Sequence, residues 1–112
     1  MPRPARAQTA PRLAQQRPRP ALLTSYFDQL RDAMATLVEA GLVHADLSAY
    51  NLLAAGERLV MIDLPQVIDL AGNPAGFDLL QRDCTNVCDW FRSRGLAVDE
   101  DDLFADLLAR AY

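Results

Sequence analysis

One short pattern does most to decide what this chain can fold into. Two apolar runs, Leu52-Leu53-Ala54 and Leu59-Val60-Met61-Ile62, are separated by Ala55-Gly56-Glu57-Arg58. Apolar runs of that length around a glycine-containing turn read as a β-hairpin. Just ahead of it, Gly41-Leu42-Val43 reads as a helix stop entering a short buried strand. His44-Ala45-Asp46-Leu47-Ser48-Ala49-Tyr50-Asn51 then joins that strand to the hairpin. Asn51 therefore stands at the hairpin's entrance and Asp63 at its exit. Antiparallel strands bring those two ends side by side. Asp46, Asn51 and Asp63 are expected to converge on one small volume, although they are scattered along the chain.

Two carboxylates and an amide oxygen are hard donors of the kind Mg²⁺ takes, an ion that keeps its other positions for water and phosphate oxygens. Phosphoryl transfer divides the work among three such groups. One Asp orients the attacking hydroxyl and accepts its proton, while an Asn and a second Asp hold the metal on the phosphates. The kinase catalytic loop runs His-x-Asp, four residues, then Asn, with a metal-binding Asp beyond it. Asp46 and Asn51 have that spacing, and Asp63 stands where the metal Asp belongs. Asp and Asn are also common in turns for local reasons, so the weight lies on the whole set and on no single member. His44 by itself reads as a packed, hydrogen-bonded brace of the loop.

HADLSAYN, followed by IDLPQ and then RDCTNV, resembles the RIO-type atypical serine/threonine protein kinases, in particular the bacterial RIO-like proteins. Their catalytic loop has the form H-[GA]-D-L-S-x-Y-N, and IDxPQ replaces the Asp-Phe-Gly of ordinary kinases. The resemblance covers Ala10 to Ala111 and only the second half of the kinase domain. It implies Asp46 as the catalytic base, and Asn51 and Asp63 as ligands of Mg²⁺ (or Mn²⁺) and, through it, of ATP. It implies a second role for Asp63 as a phosphoryl acceptor. Ser48 stands where ordinary protein kinases have a Lys. The implied activity is transfer to Ser or Thr of a protein substrate, or ATP hydrolysis. Two alternatives stay open: a small-molecule phosphotransferase of the aminoglycoside or choline kinase type, and a non-catalytic kinase remnant serving as a binding module.

Composition sharpens this. All 11 basic residues are arginine, and no glycine precedes Gly41. Kinases use a strand Lys and a glycine-rich loop on the nucleotide phosphates, so the nucleotide-covering N-terminal lobe is expected to be absent here. It would be encoded separately, or the chain is a gene fragment, and the isolated chain would be weak or inactive. Residues 1–20, with five Pro and five Arg, are expected to form a flexible segment, and residues 21–112 the partial kinase domain. That second part carries six Arg against fifteen acids, which argues against nucleic acid as its partner. No apolar run approaches the ~20 residues that span a bilayer. Cys84 and Cys88, four apart, read as reduced helix-packing thiols of a cytoplasmic protein.

The remainder reads as helix. Leu23, Phe27, Leu30, Met34, Leu37 and Val38 recur at helical spacing over residues 21–40. A second helix is expected over 77–94, on Phe77, Leu80, Cys84, Val87, Cys88 and Phe91, with Trp90 at its margin and Gly95 as its stop. A third starts near Asp99 as cap and buries Leu103, Phe104, Leu107 and Leu108. Val67–Leu70 reads as a brief extended segment. Asp83 and Asn86, polar on the second helix, are either further metal ligands or, more simply, solvated or capping a neighbouring loop. The fold class is α+β: a kinase-like C-terminal lobe, with helices packed around a small hairpin that bears the site.

Overall fold

The structure, a computed structural model, describes residues 10–62 and 67–111. Asp63 and the Leu64-Pro65-Gln66 that follows lie outside the described residues, and so do the expectations attached to them. Among the described residues, three α-helices and two small antiparallel sheets make up an α+β fold.

Helix α1 spans Pro20–Glu39, with proline in its first turn, where the missing amide costs nothing. Its buried stripe is Leu23, Tyr26, Leu30, Met34, Ala35 and Val38. Tyr26, not Phe27, is the fully inward aromatic; Phe27 is half-buried and meets Phe91 edge to face at 5.2 Å. Strand β1 (Leu42–Val43) follows, then the loop, then the hairpin of β2 (Leu52–Ala55) and β3 (Arg58–Met61). The hairpin register pairs Leu52 with Met61 and Ala55 with Arg58. Gly56 has φ +65° at the first central position of the two-residue turn, a conformation that favours glycine there. Helix α1 holds this turn in place. Gln29 donates from Nε2 to the Glu57 carbonyl (2.7 Å) and accepts the Leu59 amide on Oε1 (2.8 Å), while the Tyr26 hydroxyl donates to the Gly56 carbonyl.

The extended segment expected near Val67–Leu70 is β4 (Ile68–Asp69). It pairs antiparallel with β1, Leu42 opposite Asp69 and Val43 opposite Ile68. The chain then turns into α2 (Gly76–Ser93) and α3 (Glu100–Ala111). Phe77, expected in the buried stripe of α2, is exposed in its first turn, ahead of the packed part of the helix that begins at Leu80. Asp99 caps α3 by accepting the Asp102 amide at 3.4 Å. Cys84 and Cys88 are buried free thiols. Burial pushes both up, Cys88 to about 11 and Cys84 further, so neither is a ready thiolate.

The core is gathered among α1, α2 and α3 and the inner side of the loop. Leu30, Val43, Leu47, Leu80, Phe91 and Leu107 are all essentially inaccessible. Burying a side chain of this size contributes about 1.5–3 kcal/mol. The segment before α1 shares in this core. Leu13, in a single turn of 3-10 helix over Leu13–Gln15, has no exposed surface. Residue 20 is therefore no boundary of packing. Among the described residues, no helix is long and apolar enough to cross a membrane.

Gly76 lets α2 start hard against the end of β4: a Cβ there would lie 1.9 Å from the Leu70 carbonyl oxygen. Backbone cannot yield as a side-chain tip can. Gly76→Ala is expected to destabilise the fold by about 3 kcal/mol or more, read as a lower urea midpoint with unchanged m-value.

Candidate active site

The loop His44–Asn51 is anchored from three directions. The first anchor is His44, 2 % exposed. Its Nδ1 accepts the Asp46 amide at 3.3 Å, so the ring proton sits on Nε2, which donates to the Ile62 carbonyl at 2.9 Å. The second is at the loop's far end, where the Asn51 carbonyl accepts the Ile62 amide at 2.8 Å. Ile62 is thus held by both ends of the loop, through its N–H and through its C=O.

The third anchor is Asp83, on α2. Its two carboxylate oxygens divide the loop's amides between them: Oδ2 accepts from Ala45 at 2.8 Å and Oδ1 from Leu47 at 3.0 Å. Asn86, one turn on, donates from Nδ2 to the Leu47 carbonyl at 3.4 Å. Asp83 is 1 % exposed. Burial pushes its carboxyl up from the ordinary 3.8, and the two amides and the nearby His44 oppose the rise. Of the two readings of Asp83 and Asn86, these contacts are those of residues capping a neighbouring loop. The signal for Asp83 was present in the sequence. It stands three after Leu80 and four before Val87, inside the buried stripe of α2, where a carboxylate needs a partner.

The grip on the Ala45 amide matters because Ala45 has φ +77°. That left-handed conformation costs an L-residue about 1–2 kcal/mol. It reverses the chain between His44 and Asp46 and leaves Asp46 exposed while Leu47, next in sequence, is fully buried. An exposed carboxylate is accessible to an acceptor hydroxyl. After Asp46 the Ser48 hydroxyl caps a single 3-10 turn, Ala49–Asn51, by accepting the Tyr50 amide at 3.2 Å, and it donates to Asn51 Oδ1 at 3.1 Å. Asn51 is 8 % exposed, with its amide oxygen oriented by Ser48. Among the described residues no three His, Cys, Asp or Glu side chains gather as a metal cluster. An ion bound through one carboxylate, one amide and phosphate oxygens needs no such cluster.

Residues 5–103 match the RIO domain family. The chain is 42% identical over 78 residues to an RIO-type serine/threonine-protein kinase Rio1 of Haloferax volcanii, covering 70% of this chain and 27% of the relative. It is 39% identical over 80 residues to the Rio1 kinase of Methanocaldococcus jannaschii, with the same coverage of each chain. It is 37% identical over 82 residues to the human serine/threonine-protein kinase RIO3, covering 71% and 16%. The chain thus spans about a quarter of the length of these two archaeal relatives.

Two outcomes test this architecture. In Asp83→Asn one of the two acceptor oxygens becomes an NH₂ that faces an amide donor, and the fold should lose about 1–3 kcal/mol. The pH dependence should change as well. A carboxyl raised in the folded state retains its proton where the unfolded chain has released it. Stability therefore falls as pH rises from the ordinary value of 3.8 through the raised one. Asp83→Asn should remove that component from urea midpoints measured across the acid range. In Ala45→Gly the left-handed strain is relieved against glycine's larger unfolded-state entropy, for a net gain of about 0–1 kcal/mol.

Proposed function

Because the chain belongs to the RIO domain family, we propose that its loop is the catalytic half of a Mg²⁺- and ATP-dependent phosphotransferase site acting on Ser or Thr of a protein. The observation that supports this most is the asymmetry across the Asp46–Asn51 spacing: an exposed carboxylate and a buried amide oxygen, at either end of a loop whose two ends both hold Ile62. Asp46 orients the acceptor hydroxyl and takes its proton. Asn51, through Oδ1, and Asp63, the residue after Ile62, would hold the divalent ion, which neutralises charge on the nucleotide phosphates. Asp63 is in addition the candidate phosphoryl acceptor. On this reading the helices and the two small sheets are a kinase-like C-terminal lobe.

The 112 residues contain no lysine, and no glycine ahead of Gly41. Groups of the kind that cover and grip the triphosphate are not among these residues, and the 112 residues alone are expected to turn ATP over weakly or not at all. The direct experiment joins it to the segment that precedes the matched region in the Haloferax volcanii relative. Nucleotide affinity and single-turnover transfer are then measured for each variant. Asp46→Ala should lower transfer by about 10²–10⁴ with nucleotide affinity kept, whereas Asp63→Ala should weaken Mg²⁺–ATP binding itself. If Asp46→Ala lost affinity while Asp63→Ala kept both affinity and activity, the two roles are wrongly assigned. If no variant of the joined protein, nor its parent, transferred phosphate, the binding-module alternative would gain.

A further inference from the structure

We propose that Arg94 is a positioning residue: it clasps the strap Pro11–Gln16 to the C-terminal end of α2, and so registers the chain entering from the N-terminal side against the loop that carries Asp46. Nothing in the sequence beyond a cation near a helix end pointed to this.

The strap runs from the hairpin to α2 and is fixed at both ends. At the hairpin, the Pro11 carbonyl accepts the Ala54 amide at 2.9 Å, and Arg12 bridges to Leu53, adding the strap to the β2 edge. From the same place Arg12 donates from Nη1 to the Tyr50 carbonyl at 2.5 Å, which ties the strap to the loop directly. Leu13 then drops into the core, and a single 3-10 turn closes through Gln16 N–H to the Leu13 carbonyl at 2.9 Å. At the other end Arg94 takes hold. Its Nε donates to the Gln16 carbonyl at 3.0 Å and its Nη2 to the Ala14 carbonyl at 3.1 Å, while the guanidinium lies 4.7 Å from the centre of the Trp90 ring.

Those three contacts use what distinguishes arginine from lysine. A planar fork reaches two carbonyls two residues apart while its face stacks on an aromatic ring, and an ammonium cannot do both. Irregular backbone has no ladder to donate to it, so these carbonyls depend on the side chain. Arg94 enters none of the ion pairs among the described residues; its charge is committed to the strap.

Helix α2 therefore grips two things: the loop through Asp83 and the strap through Arg94. Eleven residue steps take the chain from Asp83 to Arg94, the residue that caps the helix, about 16 Å at 1.5 Å per residue. Arg12 on Tyr50 closes the circuit. A helix that holds both fixes the strap and the loop at a set separation. That this serves phosphoryl transfer rests on the function proposed above; the clasp itself does not.

The test is amide hydrogen exchange by NMR on the 112-residue chain, without nucleotide or metal, so a failure of the kinase reading cannot mimic a failure here. Arg94→Gln should raise exchange at Gln16 and Ala54 by about tenfold while Ala45, Leu47 and the α2 amides stay within about twofold. Arg94→Lys, which retains the charge, should behave like Arg94→Gln. Unchanged exchange at Gln16 and Ala54, a uniform rise across α2, or full rescue by lysine would each overturn the proposal. Should Arg94→Gln fail to fold, Arg12→Gln alters only an exposed side chain. It should shift the Tyr50 and Asn51 signals and loosen Ala54 while leaving Gln16 protected, and silence at Tyr50, Asn51 and Ala54 would overturn the proposal equally.

Discussion

The interaction on which the rest depends is the buried Asp83 carboxylate accepting the amides of Ala45 and Leu47. A carboxylate removed from water is costly, and here burial raises its proton affinity. Hydrogen bonding to the charged form opposes that cost without cancelling it. In return, two backbone positions on either side of Asp46 are fixed to a helix. That grip holds Ala45 at its positive φ, which turns Asp46 outward while Leu47 stays in the core. Replacing Asp83 by an apolar residue would leave the Ala45 and Leu47 amides without their acceptor, at a cost of about 1–3 kcal/mol for each buried donor so orphaned. It would not specify where the loop sits.

The loop in turn sets the far end of the hairpin. His44 and Asn51 take the carbonyl and amide of a single residue, Ile62. The histidine proton is assigned by the bonds themselves: Nδ1 faces a donor, so Nε2 must donate. The hairpin's other end is held by Gln29 and Tyr26 from α1. Each end of a two-stranded sheet too small to be stable alone is thus tied to an element that is already packed.

What could be read from the sequence was local. The hairpin, its glycine turn, the three helices, the buried thiols and the brace role of His44 follow from residue type and spacing over a few positions. What could not be read was long-range. Strand β4 pairs with β1 across the whole loop and hairpin, and no pattern in Val67–Leu70 names its partner. Leu13 sat in a run of Pro and Arg that reads as unpacked, yet it is fully buried, and the backbone around it is held by Ala54 and Arg94. Asp83 lay between the two cases: its place in the apolar stripe announced a buried carboxylate, but its partners lie 36 and 38 residues away. Arg94, whose partners are 78 and 80 residues away, gave no such sign.

If the loop and the hairpin exit form one divalent-cation site, the ion itself should report it. Paramagnetic Mn²⁺ titrated into the ¹⁵N-labelled chain reads this most directly, since it broadens signals by proximity. Asn51 and Asp63 should broaden first, at low Mn²⁺, with Asp46 following, and Asn51→Ala should abolish the effect. Broadening confined to the acidic start of α3, Glu100–Asp102, with Asn51 untouched, would contradict a shared site.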